Sequence, residues 1–321
     1  VTIALSWSSG TVANDDTGAS ETDPANFTVT GFNSGATCSA TETVPLGYSA
    51  SYGGCTNMAI AHPGTTNTCT VTNTLTSNLF TVDKVYSDGA AGPNLSITLS
   101  CTDGTVTNSP QPANHLTDAV FVVTGAANPA TSNCTASEGT VPSGYTSPSS
   151  GNCAATLAAA TCTITNNLNT ATFTVDKNYS NGAAGPNVSI TLSCPGATVT
   201  NSPQPANHAT NAVFTVTGFA NTAVTCNASE GAVPAGYNSP SSGNCSATIA
   251  VATCTITNNL NSNTFTVDKN YSNGAAGPNL SITLSCTDGT VTNSPQPANH
   301  STNAVFTVTG AVPLEGVVLV G

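Results

Sequence analysis

Arginine is absent from this sequence, and its three lysines, Lys84, Lys177 and Lys269, are its only strongly basic residues. With no basic stripe to neutralise phosphates, nucleic acid is excluded as a partner. Only 6% of the 321 residues are charged, against about a quarter in ordinary soluble domains, so solubility rests on Ser, Thr, Asn and Gly. The formal net charge is −12. Disorder normally pairs high charge with low hydrophobicity, whereas here apolar residues alternate in short Thr/Val/Ile/Phe runs, the signature of strands. No apolar run approaches the roughly 18–20 residues of a membrane helix, so no membrane span is expected. No leader-like segment is present, and Val1 begins inside a repeat; the sequence reads as a mature or cropped product. The twelve cysteines include no CxxC and no CxxCH, which removes thioredoxin-type and haem chemistry. Cysteine in this number points to disulfides and an oxidising location, extracellular or at a cell surface.

What is present is repetition. FTVDK recurs at Phe80, Phe173 and Phe265, 93 and 92 residues apart. Each complete unit continues through (L/V)SITLSC, NSPQPANH, AVF(V/T)VTG, C(T/N)ASEG, SPSSGNC and TCTITNNL. Residues 79–170 and 171–262 are two complete units. Residues 1–78 match a unit without its FTVDK strand, and 263–321 match only the first half of one. Short strands between Gly/Pro/Asn turns, with no helical period, predict an all-β chain of tandem Ig-like or prealbumin-like sandwiches arranged as a rod. A period this long suits independently folding domains rather than solenoid turns.

Strand side chains alternate between faces. Phe173 and Val175 define an inward face that Lys177 shares; Cys254 and Ile256 carry Asn258 inward, and Cys226 and Ala228 carry Glu230 inward. The same parity holds for Lys84, Asn166 and Glu138. A lysine, a glutamate and an asparagine thus converge on one interior from the first, a middle and the last strand. Buried charges must pair or neutralise. A desolvated, neutral lysine is a nucleophile, and a protonated glutamate can polarise the asparagine carbonyl and shuttle protons. Attack would expel ammonia and leave an amide between first and last strands. An ion pair or hydrogen-bonded cluster is one alternative, and a lysine reaching out to solvent at its strand end is another.

Lysine on the first strand, glutamate in Glu138-Gly-Thr-Val-Pro-Ser-Gly-Tyr145 and asparagine closing the last strand resemble the collagen-adhesin B-type, prealbumin-like repeat of bacterial pilins and surface proteins. The resemblance covers each complete unit. It implies a spontaneous isopeptide bond, with Lys84 and Lys177 as amines, Asn166 and Asn258 as amides, and Glu138 and Glu230 as catalysts. Two features depart from it: each unit has four cysteines, and no LPxTG sorting signal is present.

Four cysteines allow three pairings. Strand parity and proximity favour Cys101 with Cys134, Cys153 with Cys162, Cys194 with Cys226, and Cys245 with Cys254; in the first unit Cys55 and Cys69 remain pairable. Zinc-type spacing and a partnering histidine are missing, so no metal and no cofactor is expected. His115, His208 and His300 recur in the QPANH turn, where a turn role is expected. The first unit has Glu42 and Asn73 but no lysine, and Cys38 lacks a partner because Trp7 takes the aligned cysteine position. The last half unit has Lys269 and Cys286 and ends in the apolar Val317, Val318, Leu319 and Val320. Either the chain is a window cut from a longer array, or it polymerises head to tail. In the second case the C-terminal segment supplies the missing edge strand of a neighbour, and Lys269–Asn73 (beside Glu42) and Cys286–Cys38 link chains. Against simple merger, both incomplete units keep the same middle strands.

Three function classes compete. The first is a structural filament, pilus or stalk protein whose partners are copies of itself or further repeats. The second is an adhesin, whose SPSSGNC and NSPQPANH loops meet a glycan or a cell-surface ligand. Asn-x-Ser/Thr triplets at Asn26, Asn94, Asn178, Asn187, Asn270 and Asn279 also allow attached glycans. The third is an enzyme, disfavoured because a Ser109/His115/Asp118 set is broken by Asn211 and Asn303 in later copies. Calcium at Asp88 fails likewise, since Asn181 and Asn273 replace it.

Overall fold

A computed structural model describes residues 1–60 and 67–311, so Val317, Val318, Leu319 and Val320 lie outside the described residues. Among the described residues every regular element is a β-strand. They form two compact units, one of residues 1–142 with 146–167, the other of 143–145 with 168 onward.

The second unit contains a complete sandwich. One sheet has the order Thr198–Val199, Ala212–Thr217, Thr170–Tyr179, Thr253–Leu260, Tyr237–Asn238. The facing sheet has the order Gln204–Ala206, Val188–Ser193, Thr225–Glu230, Asn244–Thr248. The FTVDK strand, Thr170–Tyr179, is the middle strand of its sheet. It pairs antiparallel with Ala212–Thr217, placing Phe173 against Phe214, and parallel with the closing strand Thr253–Leu260, placing Tyr179 against Asn258. Burial alternates along it: Phe173, Val175, Lys177 and Tyr179 point into the core. Each buried phenylalanine contributes roughly 1.5–3 kcal/mol of hydrophobic stabilisation. The first unit repeats this plan around the FTVDK strand Ser77–Tyr86 and closing strand Thr161–Leu168, with Phe80 against Phe121 and Tyr86 against Asn166.

The unpaired repeats show what the FTVDK strand does. In residues 1–76 the sheet that holds it elsewhere is reduced to two separate pairs, Thr11–Asp16 with Asn26–Thr30 and Tyr48–Gly53 with Thr70–Leu75. The aligned strands of a complete sandwich flank the FTVDK strand on either side. The strand absent from this repeat is therefore a central one, not the edge strand expected from the sequence. A cavity of about 340 Å³ in this repeat is lined by Ile3, Leu5, Trp7, Val12 and Phe27. In the last repeat, among the described residues, Ser262–Val267 pairs only with Ala304–Thr309, and Phe265 is 47% exposed.

Consecutive repeats are joined by single residues: Thr76, Asn169 and Asn261. Each linker donates its N–H to a glycine carbonyl (Gly47, Gly144 or Gly236) and accepts from a second glycine N–H (Gly125, Gly218 or Gly310). The two glycines press together. A Cβ on Gly47 would lie 2.3 Å from Gly125 O, and one on Gly236 2.4 Å from Gly310 O. Only glycine fits, which explains the G of the V-P-x-G-Y segment shared by the three repeats.

Candidate functional site

Period-two alternation brings lysine and asparagine inward on neighbouring parallel strands, and the glutamate strand of the facing sheet carries its side chain to meet them. In the first unit Lys84 Nζ lies 3.3 Å from Glu138 Oε2, with both side chains fully buried. Asn166 Nδ2 donates to the same Oε2 at 3.1 Å. In the second unit the corresponding distances are 3.3 Å for Lys177–Glu230 and 3.1 Å for Asn258–Glu230. One carboxylate oxygen thus touches both the amine and the amide nitrogen. The lysines also donate to carbonyls of the closing strand, Ile164 O and Ile256 O, each at 3.3 Å. Glu138 Oε1, Asn166 Oδ1, Glu230 Oε1 and Asn258 Oδ1 are buried without a hydrogen-bond partner among the described residues. The sequence reading had the glutamate addressing the asparagine carbonyl; here it addresses the nitrogen, because a carboxylate acceptor attracts an N–H donor.

Burial pushes the Lys84 and Lys177 amines below the ordinary lysine value, and the Glu138 and Glu230 charges oppose that shift without reversing it. Both amines are thus easier to deprotonate than a surface lysine. The alternative in which lysine reaches solvent does not describe these two positions, where the whole side chain is enclosed.

Two kinds of neighbour went unread in the sequence. Tyr86 and Tyr179, two residues beyond each lysine on the same face, are almost fully buried. Their rings lie 4.6 and 4.7 Å from the lysine Nζ, and their hydroxyls donate to Pro93 O and Pro186 O. Burial, then the nearby Glu230 charge, pushes the Tyr179 hydroxyl up, and the Asn258 amide opposes that shift. Gly151 and Gly243, of the SPSSGNC turn, lie against the glutamates: a Cβ at either would be 2.7 Å from the Glu138 or Glu230 Cγ. The spacing FTVDKxY, kept in all three copies, was the available signal for the tyrosines.

The incomplete repeats hold halves of this arrangement. Asn73 Nδ2 donates to Glu42 Oε2 at 3.2 Å, and Glu42 Oε1 and Asn73 Oδ1 are buried and unsatisfied. Lys269 donates to Asn270 O at 3.2 Å and lies 4.4 Å from the Tyr271 ring. Glu42, Asn73 and Cys38 belong to the first unit, Lys269 and Cys286 to the second. Cys38 and Cys286 are free thiols; Cys38 is buried opposite Trp7, and burial pushes its thiol up.

Five disulfides are present: Cys55–Cys69, Cys101–Cys134, Cys153–Cys162, Cys194–Cys226 and Cys245–Cys254. Cys101 and Cys134 face each other within one sheet, whereas Cys153–Cys162 ties Asn152–Thr156 to the closing strand of the opposite sheet. The remaining polar residues serve the backbone. Ser109 Oγ accepts from Leu99 N, and His115 Nδ1 accepts from Tyr86 N, so the supposed Ser/His/Asp set has separate partners. His208 and His300 repeat the histidine bond. Asp88, Asn181 and Asn273 each accept from the backbone N–H two residues on, a turn role. Among the described residues no group of three or more His, Cys, Asp or Glu side chains could hold a metal. No helix there is long and apolar enough to cross a membrane.

No protein-family model matches the sequence, and no curated protein does. Among solved structures, the Bacillus anthracis TIE protein is 12% identical with a TM-score of 0.44, covering 76% of this chain. The chain spans 45% of that protein. The shaft pilin SpaA from Lactobacillus rhamnosus GG is 14% identical with a TM-score of 0.26, over 58% of this chain and 98% of the pilin. The major pilin from Streptococcus pyogenes is 9% identical with a TM-score of 0.28, over 57% and 98%.

Proposed function

We propose that this chain is an extracellular structural protein of a bacterial-type filament, pilus or surface stalk, built from β-sandwich repeats stapled by disulfides and by Lys84–Asn166 and Lys177–Asn258 isopeptide bonds. The observation that carries the reading is the single Oε2 atom in contact with both nitrogens of an enclosed Lys–Glu–Asn cluster, repeated in two repeats. Glu138 Oε2 takes a proton from the Lys84 ammonium, and the freed amine attacks Asn166 Cγ. The second proton of that nitrogen passes through the same oxygen to Asn166 Nδ2. The Cγ–Nδ2 bond breaks, ammonia leaves, and Glu138 remains protonated. Exclusion of water strengthens each of these contacts and protects the amide formed. Lys177, Glu230 and Asn258 act in the same way. The bond joins the first strand to the last, which are parallel neighbours. The chemistry is autocatalytic and turns over no external substrate. Five disulfides support an oxidising, extracytoplasmic setting.

The test is chymotryptic mapping under reducing conditions, since trypsin has no cleavable site beside a bonded lysine. The reading expects a branched peptide joining Lys84 to Asn166 and another joining Lys177 to Asn258; linear peptides alone would reject it.

Head-to-tail joining is the finer part of the proposal. The buried Glu42 and Asn73 oxygens, unpartnered among the described residues, and the separation of two strand pairs of the first repeat support a slot for a lysine-bearing strand. Filling it with the Lys269 strand of another chain requires Ser262–Val267 to leave Ala304–Thr309. Cys286 and Cys38 are the free thiols available for a second link. Val317–Val320, the donor segment expected from the sequence, remains part of the proposal only through its apolar sequence.

A further inference from the structure

The bond-forming cluster needs its lysine held against an asparagine that is not its direct strand partner. In the parallel register Lys84 stands opposite Ile164, while Asn166 stands opposite Tyr86. Lys177 stands opposite Ile256, and Asn258 opposite Tyr179. The reacting pair is thus diagonal, and the residue at the corner of each diagonal is a tyrosine.

Each tyrosine is fixed from outside the cluster. A Cβ on Gly92 would lie 2.2 Å from the Tyr86 ring, and one on Gly185 2.5 Å from the Tyr179 ring, so both glycines lie directly against the aromatic surface at positive φ. The next residue's carbonyl, Pro93 O or Pro186 O, accepts the tyrosine hydroxyl at 3.1 or 2.8 Å. With ring and hydroxyl both held, the lysine Nζ sits 4.6–4.7 Å from the ring centroid. In the second unit the Asn258 nitrogen, on the strand paired with Tyr179, donates to Glu230.

The last repeat supplies an independent observation. There, no glutamate or asparagine side chain meets the lysine among the described residues, yet the same cradle is built. Tyr271 donates to Pro278 O at 2.8 Å, a Cβ on Gly277 would lie 2.5 Å from its ring, and Lys269 Nζ lies 4.4 Å from its centroid. The seat for the amine therefore does not depend on its ion-pair partner.

We propose that Tyr86 and Tyr179 are positioning residues for Lys–Asn bond formation: the Gly-Pro turn locks the ring, and the ring seats the amine beside the neighbouring strand. This rests on the isopeptide reading above. A seat present before the closing strand arrives removes the orientational freedom of a long lysine chain, the largest cost of bringing amine and carboxamide together.

The experiment follows branched-peptide formation over time in chain freshly made by oxidising cell-free synthesis, comparing wild type with Tyr179→Phe and Tyr179→Leu. The Lys84–Asn166 bond serves as internal control. The Leu variant is expected to form the Lys177–Asn258 bond about tenfold more slowly or worse. The Phe variant, which keeps the ring, is expected between the two. Formation of Cys245–Cys254 reports that the repeat has folded; if the Leu variant fails that check, the Phe variant decides alone. Bonding of the deciding variant at the wild-type rate overturns the assignment while leaving the isopeptide reading intact. Absence of both branched peptides in wild type overturns both.

Discussion

Lys84 illustrates how one side chain can be costly to bury and useful once buried. Enclosed with no water contact, it is tolerated because Glu138 and two backbone carbonyls meet its ammonium. Removing one partner of such a pair leaves an uncompensated charge, worth about 3–5 kcal/mol. Glu138→Ala should therefore lower stability by that order in urea unfolding, and its chymotryptic map should lose the Lys84–Asn166 branch while keeping Lys177–Asn258. Asn166→Ala keeps the amine but cannot bond, and isolates its protonation. The folded repeat holds the Lys84 proton less tightly than an unfolded chain, whose lysines titrate near the ordinary value of 10.5. Between the depressed value and that ordinary one the unfolded chain binds more protons, so stability of this variant should rise with pH through the window. A flat or falling midpoint in alkaline urea titrations would contradict the assigned burial. Lys84, Glu138 and Asn166 were legible because strand alternation places them on the core face by counting. Tyr86 shares that parity, but an inward aromatic reads as packing. Its real partners, Gly92 and Pro93, come from a turn whose return path leaves no periodic trace.

Two kinds of tie fix the strands. Cys153–Cys162 spans nine residues and joins the facing sheets. Replacing both cysteines by serine should cost roughly 2–3 kcal/mol from the larger freedom of the unfolded chain. The single-residue linkers act differently, through backbone hydrogen bonds on both sides and a glycine-to-glycine contact. Gly236→Ala places a methyl group 2.4 Å from Gly310 O on a residue at φ +83°. It should cost about 1–3 kcal/mol of local strain and clash. Limited proteolysis should then cut near Asn261 in the variant and spare the wild type. The sequence repeat made these linkers countable, and its turn residues marked where strands end. It did not reveal that FTVDK forms the middle strand, because pairing order is set by which distant strand arrives beside it. Parallel pairing with the closing strand joins residues some eighty positions apart, beyond the reach of any local pattern.

For the whole chain, scarcity of charge and abundance of staples belong together. A net charge of −12 from so few ionisable groups keeps the surface polar without ion-pair networks, and rigidity is left to covalent and backbone ties. If chains join head to tail, boiled and unreduced samples should give a ladder that Lys269→Ala shortens to the links made by Cys38 and Cys286. A single monomer band would confine the cross-links to within each chain. That outcome would leave the central claim untouched, since the complete repeats carry their own lysine, glutamate and asparagine. The most direct test of that claim is the intact mass of the reduced, denatured chain. Two isopeptide bonds predict a mass lower than the sequence value by two ammonia molecules, and by one in Glu138→Ala. A mass equal to the sequence value would show that Lys84 and Lys177 are only ion-paired, and would contradict the account.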